Sequence, residues 1–246
     1  MNKENKMKRF NLVIVIFLNV NRLFSQTDTI LYKDATILYK SGKYKEASIL
    51  YQKVIDINPN YKKAYDKIGA CLINQKKTKS AIVYYEKYLK KDSLDSRVFV
   101  SLGSIYFNDF KSKKEIALNY FNKALKIDSS YAVALYYLGC YYSEKKDQKL
   151  LAEKYFFKSL RYSECEQFKA CIFMELGSIY YDRKLYKEAL EFLTKSIELD
   201  EKQPYAYITR YLCYSQLDEL EKANIDYAIY KKMKKTHKSI VIYNCE

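Results

Sequence analysis

The side chains that most often carry chemistry are few in this chain, which has six cysteines and a single histidine. No two cysteines have the Cys-x-x-Cys spacing that is typical of redox and zinc sites, and His237 stands among lysines late in the sequence. A Cys-His pair or a Ser-His-Asp triad would need His237 as its base. The sequence has no glycine-rich phosphate-binding loop. It therefore predicts no enzyme, no catalytic residues, no cofactor and no metal site.

The cysteines also have a structural interpretation. Cys165 and Cys171 are the nearest pair in sequence, and a disulfide between them would hold the chain at residues 163–169. Three others stand within regular helical segments and are predicted to be small buried apolar residues: Cys71, Cys140 and Cys213. The state of the remaining three, free or bridged, stays open: Cys165, Cys171 and Cys245.

The chain has a formal net charge of +15, but this charge alone does not identify the class of partner. A basic surface attracts nucleic acid, anionic lipid or acidic proteins over long distances. Lysines on helix exteriors are also ordinary solvated surface, and the lysines of residues 231–238 complement the dipole at a helix C-terminus. We favour the solvated surface and expect no nucleic acid partner. An anionic membrane surface stays an alternative.

Residues 1–26 have the pattern of a secretory signal peptide. Four basic residues precede an apolar run over residues 10–20, and Ser25-Gln26 follows it. The run is shorter than the roughly 20 apolar residues that cross a bilayer, so we expect cleavage after Gln26 and no stable membrane insertion. The predicted location is the periplasm or the cell exterior, in a Gram-negative bacterial envelope.

Two series of small residues recur along the rest of the chain. The first series is Ala35, Gly69, Gly103, Gly139 and Gly177, with Tyr211 in the sixth place. The second series is Ala47, Ala81, Ala117, Ala152, Ala189 and Ala223. Successive members are 34 to 38 residues apart, which indicates about six copies of one unit. Glycine inside a helix costs roughly 1 kcal/mol relative to alanine. The first series therefore predicts places where two antiparallel helices cross and the missing side chain lets their backbones approach.

Three local features refine the repeat. Gly42 falls between the two helices of the first copy, where a left-handed cap favours glycine. Asn58-Pro59-Asn60 is predicted to end the second helix of that copy. Residues 163–169 depart most from the pattern, because Ala152 and Gly177 are 25 residues apart where the corresponding spacing elsewhere is 22. An altered bend is predicted there.

The clearest copy is 170–203. Its first helix is marked by Phe173, Leu176, Gly177 and Tyr180, and its second by Tyr186, Ala189 and Leu193. This pattern resembles the tetratricopeptide repeat (TPR), which has a period of 34 residues. The resemblance implies an all-α, right-handed superhelical solenoid of about six TPR helix-turn-helix repeats within residues 28–237, followed by a tail at 238–246. The implied repeats are 28–61, 62–95, 96–131, 132–169, 170–203 and 204–237.

The resemblance also implies non-catalytic binding of a peptide or partner protein in a concave groove lined by the first helices. Carried over onto this chain, the groove residues are Tyr32, Tyr39, Phe107, Tyr136, Met174, Tyr181 and Tyr205. Tyrosine suits recognition because it offers a large contact area and a hydroxyl at low entropy cost. The competing interpretation is that many tyrosines pack between helices, because the chain has 28 of them. We expect about half of the set to contact a ligand, since a minority of interface residues carries most binding energy.

Two hypotheses for function follow. The first is an exported scaffold or adaptor that uses the groove. The alternative is a structural or sensory component of the cell envelope that assembles through its convex face or its ends. The sequence indicates neither the partner nor an oligomeric state.

Overall fold

The computed structural model describes residues 27–90, 94–110 and 113–236. The predicted signal peptide at 1–26, His237, and the tail at 238–246 with Cys245 lie outside the described residues. Apart from short turns the described residues are helical, and none of them forms a strand.

The helices follow one another in pairs joined by short turns. In chain order they are α1 (27–40), α2 (Tyr44–Ile57), α3 (Lys62–Asn74), α4 (Thr78–Leu89), α5 (Ser96–Asp109), α6 (Lys114–Ile127), α7 (Ala132–Ser143), α8 (Lys149–Tyr162), α9 (Glu166–Asp182), α10 (Tyr186–Leu199), α11 (Pro204–Gln216) and α12 (Leu220–Thr236), with a 3₁₀ turn at Lys146–Gln148. The contacts divide the chain into two compact units, the first ending at Ile105 and the second beginning at Tyr106. Within the second unit, helices α7 and α9 contact each other, and so do α9 and α11.

The glycines of the first series face large side chains from the second helix of the same pair. A Cβ atom added at Gly139 would lie 2.6 Å from a ring carbon of Phe156, and one at Gly177 would lie 2.6 Å from Cγ of Leu193. At Gly69 an added Cβ would overlap the ring of Tyr85. The predicted helix crossings are therefore confirmed at these three glycines. The space beside each glycine is occupied mainly by a bulky side chain of the facing helix and not by the backbone of that helix.

The second series lies at the centre of the packing. All six of its alanines are buried: Ala47, Ala81, Ala117, Ala152, Ala189 and Ala223. In the second unit Ala152 and Phe156 join Ile172, Leu176 and Ile179 in one core cluster that spans α8 and α9. Small and large residues thus alternate across the pair, as close packing of a helical core requires.

Four first helices end in the same left-handed cap. Gly42 has φ +78°, its N–H donates to the carbonyl of Tyr39 (3.0 Å), and the next N–H, of Lys43, donates to Leu38 (2.9 Å). This is a Schellman motif, and it confirms the predicted role of Gly42. The corresponding residues of three later pairs are not glycine but still have positive φ: Lys76 (60°), Lys184 (63°) and Asp218 (59°).

Replacing Lys184 with glycine is expected to stabilise the protein by about 0.5–1 kcal/mol, because a side chain disfavours left-handed backbone. Lys184 is exposed, so little packing is lost. Lys154→Gly is the matched control: Lys154 is exposed within α8, where glycine is expected to destabilise by a similar amount. Urea unfolding followed by circular dichroism measures both. Shifts of the same sign in the two variants would contradict the cap assignment.

Second helices end in a recurring side-chain turn. The Oδ1 atoms of Asn58, Asp128 and Asp200 each accept the backbone N–H two residues later, at 2.9 to 3.1 Å. Such Asx turns compete with helix continuation, which explains where α2, α6 and α10 stop.

The surplus residues near 163–169 become helix. Helix α9 begins at Glu166 and has 17 residues, whereas α3, α7 and α11 have 12 or 13. Helix α9 is therefore longer than these helices by slightly more than one turn, and the altered bend stays a prediction.

Candidate functional site

Two of the predicted groove residues lie on α1 of the first unit. Tyr32 and Tyr39 are both half-buried. The ring of Tyr32 lies 5.3 Å from that of Tyr51, and the ring of Tyr39 lies 5.3 Å from that of Tyr44. The Tyr39 hydroxyl accepts a hydrogen bond from the Asn74 amide at 3.1 Å. Both rings thus help to pack neighbouring helices while still meeting solvent.

The second unit contains the other five. Phe107 on α5 is half-buried, with its ring 6.0 Å from that of Tyr137. The ammonium nitrogen of Lys114 lies 4.5 Å from the centre of the Phe107 ring and also pairs with the Glu144 carboxylate. This geometry suits a cation–π contact. Phe107 is therefore partly covered by the chain's own lysine.

Tyr136 on α7 is the most enclosed residue of the set. Its ring lies 5.7 Å from that of Phe156 and 5.3 Å from that of Phe168. Its hydroxyl donates to Oε1 of Glu175 at 3.3 Å. Burial raises the pKa of the Tyr136 hydroxyl well above its ordinary value. Tyr136 therefore contributes to the core as well as to the helix face.

Met174 and Tyr181 are more enclosed than Tyr205. Met174 and Tyr181 are half-buried on α9 and pack on the same core cluster, which contains Leu193. Tyr205, at the start of α11, is 60% exposed. The structure thus brings Met174 and Tyr181 together, and the contact between α9 and α11 places the helix of Tyr205 beside them. Whether any of the seven residues binds a partner stays a prediction.

Sequence reasoning missed Glu175, which follows Met174 on α9. It is the only charged residue between Ala170 and Tyr181, and an acid isolated in an apolar helix is a signal that the sequence offered. The residue is half-buried, and desolvation raises the pKa of its carboxyl group from 4.5 to about 7. Tyr136 is its hydrogen-bond donor within the described residues.

Asp66 on α3 is a second desolvated acid, in the first unit. Its Oδ1 accepts a hydrogen bond from the Ser101 hydroxyl at 2.8 Å, and the Tyr85 hydroxyl lies 3.4 Å from the same atom. Burial raises the pKa of Asp66 above its ordinary value despite these bonds. Asp66 is better satisfied than Glu175, because its Ser101 donor lies at 2.8 Å whereas the Tyr136 donor to Glu175 lies at 3.3 Å.

Cys71 and Cys213 are fully buried, as the sequence predicted for both. Burial raises the pKa of each of these thiols to about 12, so they are poor nucleophiles. Cys140 is half-buried rather than fully buried. The possible bridge between Cys165 and Cys171 is wrong: Cys171 is a free thiol, whereas Cys165 is disulfide-bonded to another cysteine.

Two kinds of feature are absent from the described ranges 27–90, 94–110 and 113–236. No group of three or more His, Cys, Asp or Glu side chains is arranged to hold a metal ion there. No helix in these ranges combines the length and apolar character that a bilayer crossing needs.

Family models agree with the repeat in three places. A tetratricopeptide repeat model matches residues 29–61 and 172–203, and a second tetratricopeptide repeat model matches residues 63–93. These segments coincide with the pairs α1–α2, α9–α10 and α3–α4. The chain therefore contains tetratricopeptide repeats.

One curated relative has a similar sequence. The human protein O-mannosyl-transferase TMTC3 is 28% identical over 175 residues, which is 71% of this chain and 19% of the relative. The chain thus spans about a fifth of that protein.

Solved structures share the fold. The chain resembles one from the APC/C hetero-tetramer Cut9-Hcn1 with a TM-score of 0.75 at 15% identity, covering 86% of this chain and 41% of that one. It also resembles YrrB, described as a TPR protein with an unusual peptide-binding site, with a TM-score of 0.51 at 21% identity over 76% of this chain and 93% of that one. At such identities the likeness shows the fold alone. The predicted fold class, an all-α TPR solenoid, is confirmed.

Proposed function

We propose that this chain, a helical solenoid that contains tetratricopeptide repeats, is an exported, non-catalytic scaffold that binds a peptide or partner protein along its first helices. The observation that carries the proposal is the contact of α7 with α9 and of α9 with α11 in the second unit. Because these first helices are neighbours, the side chains on their shared side can act as one surface. Met174, Tyr181 and the exposed Tyr205 contribute to it.

The chemistry of this surface fits recognition. Tyrosine rings and a flexible thioether offer contact area that adapts to different side chains. The half-buried rings are already held by their neighbours, so binding would order few additional side chains. Two of the similar structures support the same role, since one belongs to a hetero-tetramer and the other is described as having a peptide-binding site.

A non-catalytic role agrees with the side chains of the described residues. The thiols of Cys71 and Cys213 are buried with a raised pKa, which opposes nucleophilic attack. The transferase named among the relatives is about five times as long as the matched segment, so its activity is not carried over to this chain.

Export is the other part of the proposal, and its support is the basic and apolar pattern of residues 1–26. The protein would then act in the periplasm or outside the cell. Sequencing the first residues of the protein recovered from an envelope fraction tests this part, with Thr27 expected as the new N-terminus. An uncleaved protein in the cytoplasm would contradict it.

Binding is tested by affinity capture from an envelope extract with the immobilised full chain. A Tyr181→Ala, Tyr205→Ala double variant is compared with a Phe157→Ala, Tyr162→Ala control, whose rings are exposed on the second helix α8. Tyr136 is left unchanged because it packs against the ring of Phe156.

We expect the wild type and the control to retain the same partner, and the double variant to retain at least about tenfold less, as truncated hot spots do. Equal retention by both variants would favour assembly through another surface. If the wild type retains no specific partner, the scaffold proposal is wrong.

A further inference from the structure

Glu175 differs from Asp226, the other enclosed acid of the second unit, in having no cation of the described residues within ion-pair distance. Asp226, which is 2% exposed, accepts two hydrogen bonds from the guanidinium of Arg210 at 2.7 and 2.8 Å. In the part of the chain that the structure describes, no lysine or arginine nitrogen lies within 4 Å of the Glu175 carboxylate. Burying a carboxylate without a cation is costly, so such groups are rarely retained for stability alone.

The groups around Glu175 do not supply a positive charge that pairs with its carboxylate. The titratable or charged groups that interact with it are Tyr136 and Cys140 of α7, Lys149 of α8 and Cys171 of α9. Lys149 is the cation among them, and its ammonium group already pairs with the Asp182 carboxylate. The amide of Gln203 is also engaged, with Cys171 and Asp200.

Glu175 lies beside two of the predicted groove residues. It follows Met174 on α9 and accepts a hydrogen bond from Tyr136 of α7. The side chain is half-buried, so part of it meets solvent. The ring of Tyr136, which is half-buried and whose hydroxyl donates to the acid, suits the aliphatic stem of a long cationic side chain.

We propose that the surface formed by Tyr136, Cys140, Met174 and Glu175 binds a lysine or arginine side chain of the partner peptide, with Glu175 as its counter-ion. This inference rests on the proposed function and names the chemistry of the partner. The chain's own net charge of +15 opposes long-range attraction of a basic peptide, so selection would act at contact distance.

Proton linkage gives the proposal a second signature. Desolvation places the pKa of the Glu175 carboxyl at about 7, so the acid is partly protonated at neutral pH. A bound cation favours the carboxylate and therefore releases a proton. Affinity for a basic peptide is expected to rise between pH 5.5 and pH 8, whereas affinity for a neutral analogue stays constant.

The test is selection from a random decapeptide library on the full chain, followed by calorimetry with a selected peptide and its analogue in which norleucine replaces the basic residue. The variants are Glu175→Gln and, as the matched control, Glu191→Gln, which removes an exposed acid from α10. Wild type and Glu191→Gln are expected to enrich Lys or Arg at one position and to bind the basic peptide at least about tenfold more tightly than the analogue. Glu175→Gln is expected to show less than about twofold preference.

Folding of the Glu175→Gln variant is checked by thermal unfolding. The folded-state pKa of about 7 lies above the ordinary 4.5, so the charge destabilises the fold above pH 7 and has no effect below pH 4.5. The melting temperature is expected to rise by about 5 °C at pH 8 and to stay unchanged at pH 4.5. A fall at pH 8 would show that the carboxylate has a structural role and would overturn the inference.

The outcomes separate this inference from the proposed function. Peptides that bind the wild type without any basic preference, or with an acidic one, would overturn the cation site and leave the scaffold proposal standing. A library that yields no binders for any of the three proteins would count against both.

Discussion

Replacing Arg210 with methionine is expected to destabilise the protein by about 3–5 kcal/mol, the usual cost of leaving a buried carboxylate without its partner. Arg210 on α11 donates from Nε and Nη2 to the two oxygens of Asp226 on α12, and from Nη1 to the Thr194 hydroxyl on α10 at 3.3 Å. The side chain of Asp226 is 2% exposed, so water cannot replace the guanidinium. The substitution keeps the aliphatic volume and removes the charge.

A double variant shows whether the loss of stability in Arg210→Met comes from the Asp226 carboxylate that is left without its partner. Arg210→Met combined with Asp226→Leu replaces both charges with apolar groups, and we expect it to recover most of the stability. Urea unfolding followed by circular dichroism measures the free energy, and hydrogen exchange over residues 204–236 shows whether α11 and α12 open first. If the double variant were as unstable as Arg210→Met, the stranded carboxylate would not be the cause.

The second large effect is expected where Gly139 faces Phe156. Phe156 is fully buried in the core between α8 and α9, so Phe156→Ala is expected to cost about 3–5 kcal/mol. Gly139→Ala is expected to cost about 1–3 kcal/mol, although alanine is the better helix former by roughly 1 kcal/mol, because the new Cβ would lie 2.6 Å from the ring.

The two substitutions should not be additive. Once the ring of Phe156 is gone, the methyl group at position 139 has space and its helix preference becomes favourable. We therefore expect the double variant to be about 2 kcal/mol more stable than the sum of the single losses, measured as a double-mutant cycle from urea unfolding. Additive losses would mean that Gly139 is required for some reason other than the space that Phe156 occupies.

The repeat was predictable because its signals are local or periodic. Gly42, Gly139 and Gly177 identified caps and crossings from their own residue type and spacing, and the structure confirms them. The caps at Lys76 and Lys184 were not predictable, since lysine does not indicate a left-handed residue. These turns are imposed by the packing of the helices they join, which outweighs a local preference of about 1 kcal/mol.

The candidate site was less predictable than the fold. The repeat pattern assigned Tyr136 and Tyr205 to the same surface, yet Tyr136 packs against Phe156 and Tyr205 is 60% exposed. Their difference depends on the neighbours that other helices bring to each ring. Glu175 was missed for a related reason. The family pattern assigns groove residues by their position in the repeat, and Glu175 does not occupy one of those positions. The environment of its carboxyl group depends on side chains of other helices.

The helical pairs and the places where their helices are in contact could be predicted from the residue pattern, because small residues recur at 34 to 38 residues and each crossing needs one. Which charges have partners depends on the packing of helices that are distant in sequence. Asp226 finds Arg210 sixteen residues away, whereas Glu175 finds a tyrosine hydroxyl 39 residues away. Both acids stand in helices, and although Glu175 is the only charged residue between Ala170 and Tyr181, that isolation does not show which side chain it meets. The difference arises because packing brings together side chains of separate helices, and a carboxylate's environment is set by those side chains.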